Sequence, residues 1–313
     1  MYPWFTQSLD RLIIRTACRG MPAPGKHQAH ADEAAALLNH PDFFCDFAES
    51  PPDLQLSSDN IFKFKSQITT PWERNNLVHG KFFPCATDWQ NFPTTILLHG
   101  WNDELGYQFR FPYVAGKLKL HKINTAVIEL PYHLQRRPRD PNAINNFISE
   151  DLWRMVEATR QSISDVRALV KWFHAQGCEK VGLWGTSLGA WLTGLIGCHE
   201  PQVNFAILTT PIAKLHRAIN ELKFCAPIRR SYEKCEIDLS KLNLVSHQPK
   251  VSRENILLQE AEHDLFAPKE AIEELWSAWD KPEIWRMRHG HISVLMSPSV
   301  MKRTVRWVAE KVT

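Results

Sequence analysis

Short apolar runs separated by longer stretches of helical period organise most of this chain. IFKFKSQITT, at 61–70, alternates apolar and polar positions as a half-buried strand does, and NLVHGKFF beyond it reads as its hairpin or neighbour. Further strands read at TTILLH (94–99), NTAVIEL (124–130), KVGLW (180–184), VNFAILTT (203–210), NILLQE (255–260) and EIWRMR (283–288). Between the second and third of these six, Leu152, Met155, Val156, Ile163, Val166, Leu169, Val170 and Phe173 recur at helical spacing, with Gly177 placed to end the helix. A second helix opens after Pro268, with Ile272, Leu275, Trp276 and Trp279 on one side, and a third closes through Met301, Val305, Val308 and Val312. Strands alternating with helices predict βα units, an α/β fold and a mostly parallel central sheet covered by helices.

Two segments break the rhythm. Residues 1–60 carry helix and turn signals and read as an N-terminal helical extension packed on the core; residues 61–313 read as the main domain. Within it, about 211–253 holds no strong strand, three prolines and a basic cluster of Arg229, Arg230 and Lys234, which predicts a cap insertion over the sheet. Its Ile212, Leu215, Leu222, Phe224 and Ile228, mixed with basic residues, predict an apolar chamber with a charged rim. At the start of the chain Trp4, Phe5, Leu9, Leu12 and Ile13 share a helical face. Docking of that helix on its own domain is the favoured reading, because Gln7 and Asp10 dilute the basic face; peripheral membrane contact is the other.

Composition narrows the field. The 37 Lys and Arg nearly balance 34 Asp and Glu, so the net charge of +3 gives no overall footprint for nucleic acid. Seven scattered cysteines without a CxxC pair fit a reducing compartment, and with no signal-peptide core the expected location is cytoplasmic.

The chemistry centres on VGLWGTSLGAWL at 181–192, where Ser187 stands between Gly185 and Gly189 after a strand and before a helix. A strand, sharp turn and helix is the setting a GxSxG nucleophile needs, since the glycines remove the Cβ atoms that would collide as strand and helix approach. A serine hydroxyl needs a base. RHGHISVLMS supplies His289 and His291, of which His291 is favoured because it falls in the loop between the last strand and the closing helix. The base needs a carboxylate, and Asp264 in the loop before the Pro268 helix fits better than Glu262. A metal site from His99, Asp264, His289 and His291 is disfavoured, because neither HExxH nor CxxC spacing supports it.

The order Ser187, Asp264, His291, with LLHGWND, GTSLG, HDLFAP and HGHISV, resembles the serine α/β-hydrolases of the esterase and lipase type over roughly 90–313. LPYHLQRRPRD and the helix after it are also similar to a subgroup related to α/β-hydrolase domain-containing protein 18. The resemblance implies the α/β-hydrolase fold and an oxyanion hole made by the backbone N–H groups of Trp101 and Leu188, leaving His99 structural. Arg136 and Arg137 are candidates for an anionic head group, against a solvated loop as the other reading. The expected reaction is cleavage of a small-molecule or lipid-like carboxylic ester or thioester through an acyl-serine, with neither cofactor nor metal. The alternatives are an acyltransferase using the same nucleophile and a non-catalytic binding protein of the same fold.

Overall fold

The computed structural model describes residues 2–17, 31–44, 50–139, 147–234 and 237–313. Among them, nine strands form one sheet: β1 (Gln55–Leu56), β2 (Ile61–Lys65), β3 (Leu77–Phe83), β4 (Thr94–Leu98), β5 (Asn124–Ile128), β6 (Val181–Thr186), β7 (Phe205–Thr209), β8 (Ile256–Ala261) and β9 (Glu283–Met287). Their order is β1-β2-β3-β5-β4-β6-β7-β8-β9. The pairs from β1 to β5 along this order are antiparallel, and every pair from β5 to β9 is parallel.

The helices are α1 (Pro3–Ala17), α2 (Ala31–Asn39), α3 (Phe111–Lys119), α4 (Leu152–Ala175), α5 (Leu188–His199), α6 (Leu215–Glu221), α7 (Ala226–Tyr232), α8 (Lys269–Ala278), α9 (His291–Leu295) and α10 (Pro298–Val312). Strand residues sort to two faces by the period of two. Ile96, Leu98, Leu183, Leu208 and Leu258 join the core under α4, α5 and α8, whereas Leu97, Trp184, Ile207 and Leu257 meet α3 and α10. Burial on both faces is why these strands read as apolar runs in the sequence. Each fully buried Leu, Ile or Val side chain contributes about 1.5–3 kcal/mol relative to exposure.

The chain runs from β4 to β5 on one side and then returns to β6 on the other. This reversal opens a crevice beyond the carboxyl ends of β4 and β6, the place where open parallel sheets bind ligands. Gly100 follows β4, Ser187 follows β6, and α5 starts there.

The described residues of 211–253 form α6, α7 and short 3₁₀ turns. Leu239, Leu242 and Leu244 of this segment join the main core, and the Trp191 indole N–H of α5 donates to Leu242 O at 2.7 Å. The C-terminal half of the insertion is therefore fastened to the sheet-covering layer, and Ile219 of α6 and Ile228 of α7 are buried in the same core.

The N-terminal residues differ from expectation: Gln55–Leu56, within the expected helical extension of 1–60, form β1 at the edge of the sheet, and residues 18–30 and 45–49 of that extension lie outside the described residues. The helix α1 docks on its own domain, but through Thr6 and Asp10, both fully buried, while Trp4, Phe5 and Leu12 stay exposed. Polar partners at the docking surface outweigh the apolar stripe. Farther on, α2 rests on α4, with Ala34, Leu38 and Phe43 buried in the main core.

Arg136 is a second difference. It is not available to a head group, because it is fully buried and its donors are spent inside the protein. Nη2 lies 2.8 Å from Asp165 Oδ2 on α4, Nε and Nη2 donate to Asn75 O at 3.0 and 2.7 Å, and Nη1 donates to Glu129 O at 3.1 Å. Ser66 Oγ donates to the other Asp165 oxygen at 2.6 Å, so one guanidinium fastens the antiparallel edge, the loop after β5 and α4 together. Arg136→Leu strands the Asp165 charge in the interior and is expected to cost about 3–5 kcal/mol, read as a lower urea midpoint at neutral pH.

Candidate active site

Ser187 sits at the tip of the β6–α5 turn with φ 54° and ψ −115°, a backbone conformation that L-residues seldom adopt. Its N–H donates to Thr209 O at 2.9 Å, and its own carbonyl accepts from Ala190 and Trp191 N–H at 2.9 and 3.0 Å, which holds the turn from both sides. Two glycines make the turn sterically feasible. A Cβ on Gly185 would stand 2.1 Å from Gly189 O, and one on Gly189 would stand 2.3 Å from Leu98 O. Strand, turn and helix thus approach to backbone contact, and the serine side chain is left half-buried at the crevice.

Three distant segments meet at that side chain. Ser187 Oγ lies 2.8 Å from His291 Nε2, and His291 Nδ1 lies 2.7 Å from Asp264 Oδ2. The other Asp264 oxygen accepts from the N–H groups of Phe266 and Ala267 at 2.7 and 2.8 Å, which fixes the carboxylate plane and leaves Oδ2 for the imidazole. With Asp264 accepting at Nδ1, the ring carries its proton there and presents an unprotonated Nε2 to the hydroxyl. Burial alone would lower the pKa of His291. The Asp264 charge and hydrogen bond, followed by the charges of Asp10 and Asp103, outweigh that burial and hold it above the ordinary histidine value.

His291 opens the short helix α9 rather than lying in an open loop, so its backbone direction is set by a helix start. His289 faces elsewhere, with Nδ1 3.2 Å from Ser293 Oγ. Glu262 is exposed and is not drawn to the serine. Among the described residues no group of three or more His, Cys, Asp or Glu is arranged to hold a metal ion.

The turn after β4 forms the opposite wall. His99 is buried, with Nδ1 2.7 Å from Gly100 O and Nε2 accepting the Leu130 N–H at 3.0 Å, so both ring nitrogens hold backbone and its burial lowers its pKa. Gly100 lies beside the serine: a Cβ there would come 3.5 Å from Ser187 Cβ. Trp101 follows it, and Leu188 is the first residue of α5, where a helix leaves its N–H without an internal partner.

Several contacts around the site carried no clear sequence signal. Asp103 pairs with Arg110 and accepts the Gly106 N–H at 3.0 Å; Arg110 Nη2 reaches Thr186 Oγ1 at 3.4 Å, tying the Trp101 loop to the residue before Ser187. Arg137 is half-buried, donating to Glu104 Oε1 at 2.8 Å and Asn102 Oδ1 at 3.3 Å on that same loop. The Phe266 ring lies 4.7 Å from the His291 ring, and Phe224 from the insertion lies 5.3 Å from Phe266. Asp10 touches both the Asp264 and the His291 loops. Contacts of this kind join residues far apart in the chain, and no local motif encodes them.

Residues 69–224 match the family described as alpha/beta hydrolase domain containing 18. Two uncharacterized proteins of Mycobacterium tuberculosis, Rv2627c and MT2702, are each 30% identical over 218 residues, covering 67% of this chain and 52% of theirs. The chain therefore spans about half the length of these curated relatives. Among solved structures, the acetyl xylan esterase from Paenibacillus sp. R4 superposes with a TM-score of 0.58 at 13% identity, covering 92% of this chain and 96% of that one. The Pyrococcus furiosus esterase Pf2001 gives 0.54 at 14% identity, over 83% and 91%. Est1E from Butyrivibrio proteoclasticus, solved with ferulic acid bound, gives 0.53 at 11% identity, over 75% and 93%. At such identities these likenesses establish the fold. Architecture, family match and structural neighbours agree: the chain belongs to the α/β-hydrolase superfamily and, over residues 69–224, matches its family described as alpha/beta hydrolase domain containing 18.

Proposed function

We propose that this chain is a serine hydrolase that cleaves a carboxylic ester or thioester through an acyl-serine intermediate. The observation that carries the reading is the unbroken line of hydrogen bonds from Asp264 through His291 to Ser187 at the head of α5. The esterases among its structural neighbours support the same reaction class.

In this mechanism Ser187 Oγ attacks the carbonyl carbon while His291 Nε2 takes the hydroxyl proton. The oxyanion is received by the N–H groups of Leu188 and Trp101, the first at the positive end of α5, where one such donor contributes about 3–4 kcal/mol to the barrier reduction. Collapse breaks the bond to the leaving oxygen or sulfur, and the imidazolium returns its proton to that atom. Water, deprotonated by the same nitrogen, then attacks the acyl-serine; collapse breaks the bond to Ser187 Oγ, which recovers the proton from the imidazolium as the acid is released. Asp264 stabilises the imidazolium in both steps. No step calls for a cofactor.

The substrate reading follows from the walls. Phe266 and Phe224 place apolar surface beside the base, which favours an ester with a hydrophobic part. Arg136 has no part in recognition. Arg137, engaged with Glu104 and Asn102, is assigned to bracing the Trp101 loop.

Three outcomes are expected. A fluorophosphonate probe labels the native chain, while Ser187→Ala abolishes labelling and turnover with a melting temperature close to the parent; a variant that keeps full ester turnover would reject the mechanism. Because only the neutral imidazole accepts a proton and the His291 pKa is raised, kcat/KM should climb with pH through a midpoint above the usual histidine value of 6.5. A midpoint clearly below 6.5 would contradict that assignment. For Phe224→Ala, a nitrophenyl ester of a medium-length fatty acid should lose about tenfold in kcat/KM and the acetate ester little, on steady-state kinetics.

A further inference from the structure

The N-terminal helix reaches the loops of the proposed site with a carboxylate. Asp10 on α1 is fully buried. Its Oδ2 accepts the N–H of His291 at 2.9 Å and that of Leu265, beside Asp264, at 3.2 Å; its Oδ1 accepts the Ile292 N–H at 3.0 Å. A single side chain thus holds the backbone of the base and of the segment bearing its acid partner.

Two neighbouring features fit this contact. Thr6, one turn earlier on α1, places Oγ1 3.1 Å from Nδ1 of His263, the residue preceding Asp264. On the other side, a Cβ at Gly290 would stand 2.9 Å from both Asp10 Oδ2 and Thr6 O, so a glycine just before His291 leaves the space the helix occupies.

The energetics argue against simple docking. Burial raises the Asp10 pKa, and the N–H groups of Ile292 and His291 work against that rise. Burying a carboxylate is expensive unless it is well bonded, and α1 has a cheaper means of attachment in the apolar residues Trp4, Phe5 and Leu12, which it leaves exposed. The costlier face is the one turned to the site.

We propose that Asp10 is a positioning residue for the His291–Asp264 pair, which makes α1 a part of the hydrolytic machinery. The inference rests on the serine-hydrolase reading above. Asp10 acts on backbone amides and not on the reacting atoms: it sets where the His291 ring begins and how far the Asp264 loop stands from it. Since a misplacement of about 1 Å can cost on the order of 100-fold in rate, such a brace is felt in kcat.

The test compares the unaltered chain with Asp10→Ala, Asp10→Asn and the exposed control Trp4→Ser, using p-nitrophenyl butyrate turnover and the rate of fluorophosphonate labelling. Both Asp10 variants should lose about 10- to 100-fold in kcat with KM held within about twofold, and the control should match the native chain. The acid limb of kcat/KM should also move to lower pH, because one of three carboxylates favouring the imidazolium has gone. Asp264 and Asp103 remain, and His263 and His289 also flank the junction. Unchanged kcat and acid limb, or an effect confined to melting temperature, would overturn the proposal. Should Asp10→Ala fail to fold, Gly290→Ala, which crowds the same carboxylate, carries the measurement. A native chain that neither turns over nor labels sinks the hydrolase reading instead. The downfield proton resonance of His291 Nδ1–H then decides the positioning claim by itself: weakening in Asp10→Asn upholds it, and an unchanged signal ends it.

Discussion

Everything at the crevice depends on one backbone constraint, the left-handed turn at Ser187. A residue with φ 54° and ψ −115° costs on the order of 1–3 kcal/mol, and it persists only where its surroundings leave no alternative. Here they leave none. The Ser187 N–H is held by Thr209, its carbonyl begins α5, and Gly189 touches the backbone of Leu98, so the strands on either side of β6 both take part in fixing the turn. The strain points the side chain into the crevice and sets the start of α5 against the turn after β4. Relaxing the turn to ordinary helix or strand geometry would lose both arrangements together.

The electrostatics follow from how the carboxylates are compensated. Asp264 gives one oxygen to two backbone amides and the other to His291, and Asp10 spends both oxygens on amides. Asp103 shares its charge with Arg110. Three acids therefore surround one imidazole without being free to move toward it, and their summed field overcomes the burial that would otherwise disfavour its protonation. An imidazole in such a setting can take up a proton from a neutral hydroxyl and still release it, which reversible acid–base work requires.

What could be read from the sequence divides along a physical line. The buried strands were legible because burial on both faces writes itself as an apolar run, as in TTILL at 94–98 and VGLWGT at 181–186. The turn at Ser187 was legible because only glycine fits at 185 and 189. The choices of His291 over His289 and Asp264 over Glu262 came from position in βα units, and the structure brings the chosen side chains to hydrogen-bonding distance of one another. What escaped were interactions in which the deciding partner lies far away. The arginines of QRRPRD look alike in sequence, yet Arg136 is swallowed by a network that includes Asp165 and Asn75, while Arg139 three residues beyond is exposed. Periodicity gave α1 an apolar face and said nothing of the amides waiting for Asp10.

That last misreading has a general cause. Hydrophobic periodicity identifies the side of a helix that gains most from leaving water, on the assumption that the surface it meets is apolar. At α1 the surface is instead the start of another helix, α9, whose first N–H groups have no partner within their own turn. Leaving those amides buried and unpaired would cost more than exposing Trp4 and Phe5, since each unsatisfied group carries about 1–3 kcal/mol of lost hydration whereas an exposed aromatic ring forgoes a gain of similar size without creating a new penalty. A carboxylate that satisfies three amides at once tips the balance further. The orientation of α1 is thereby set by the needs of the segment that carries His291, and an element outside the parallel-sheet core becomes tied to the geometry of the crevice.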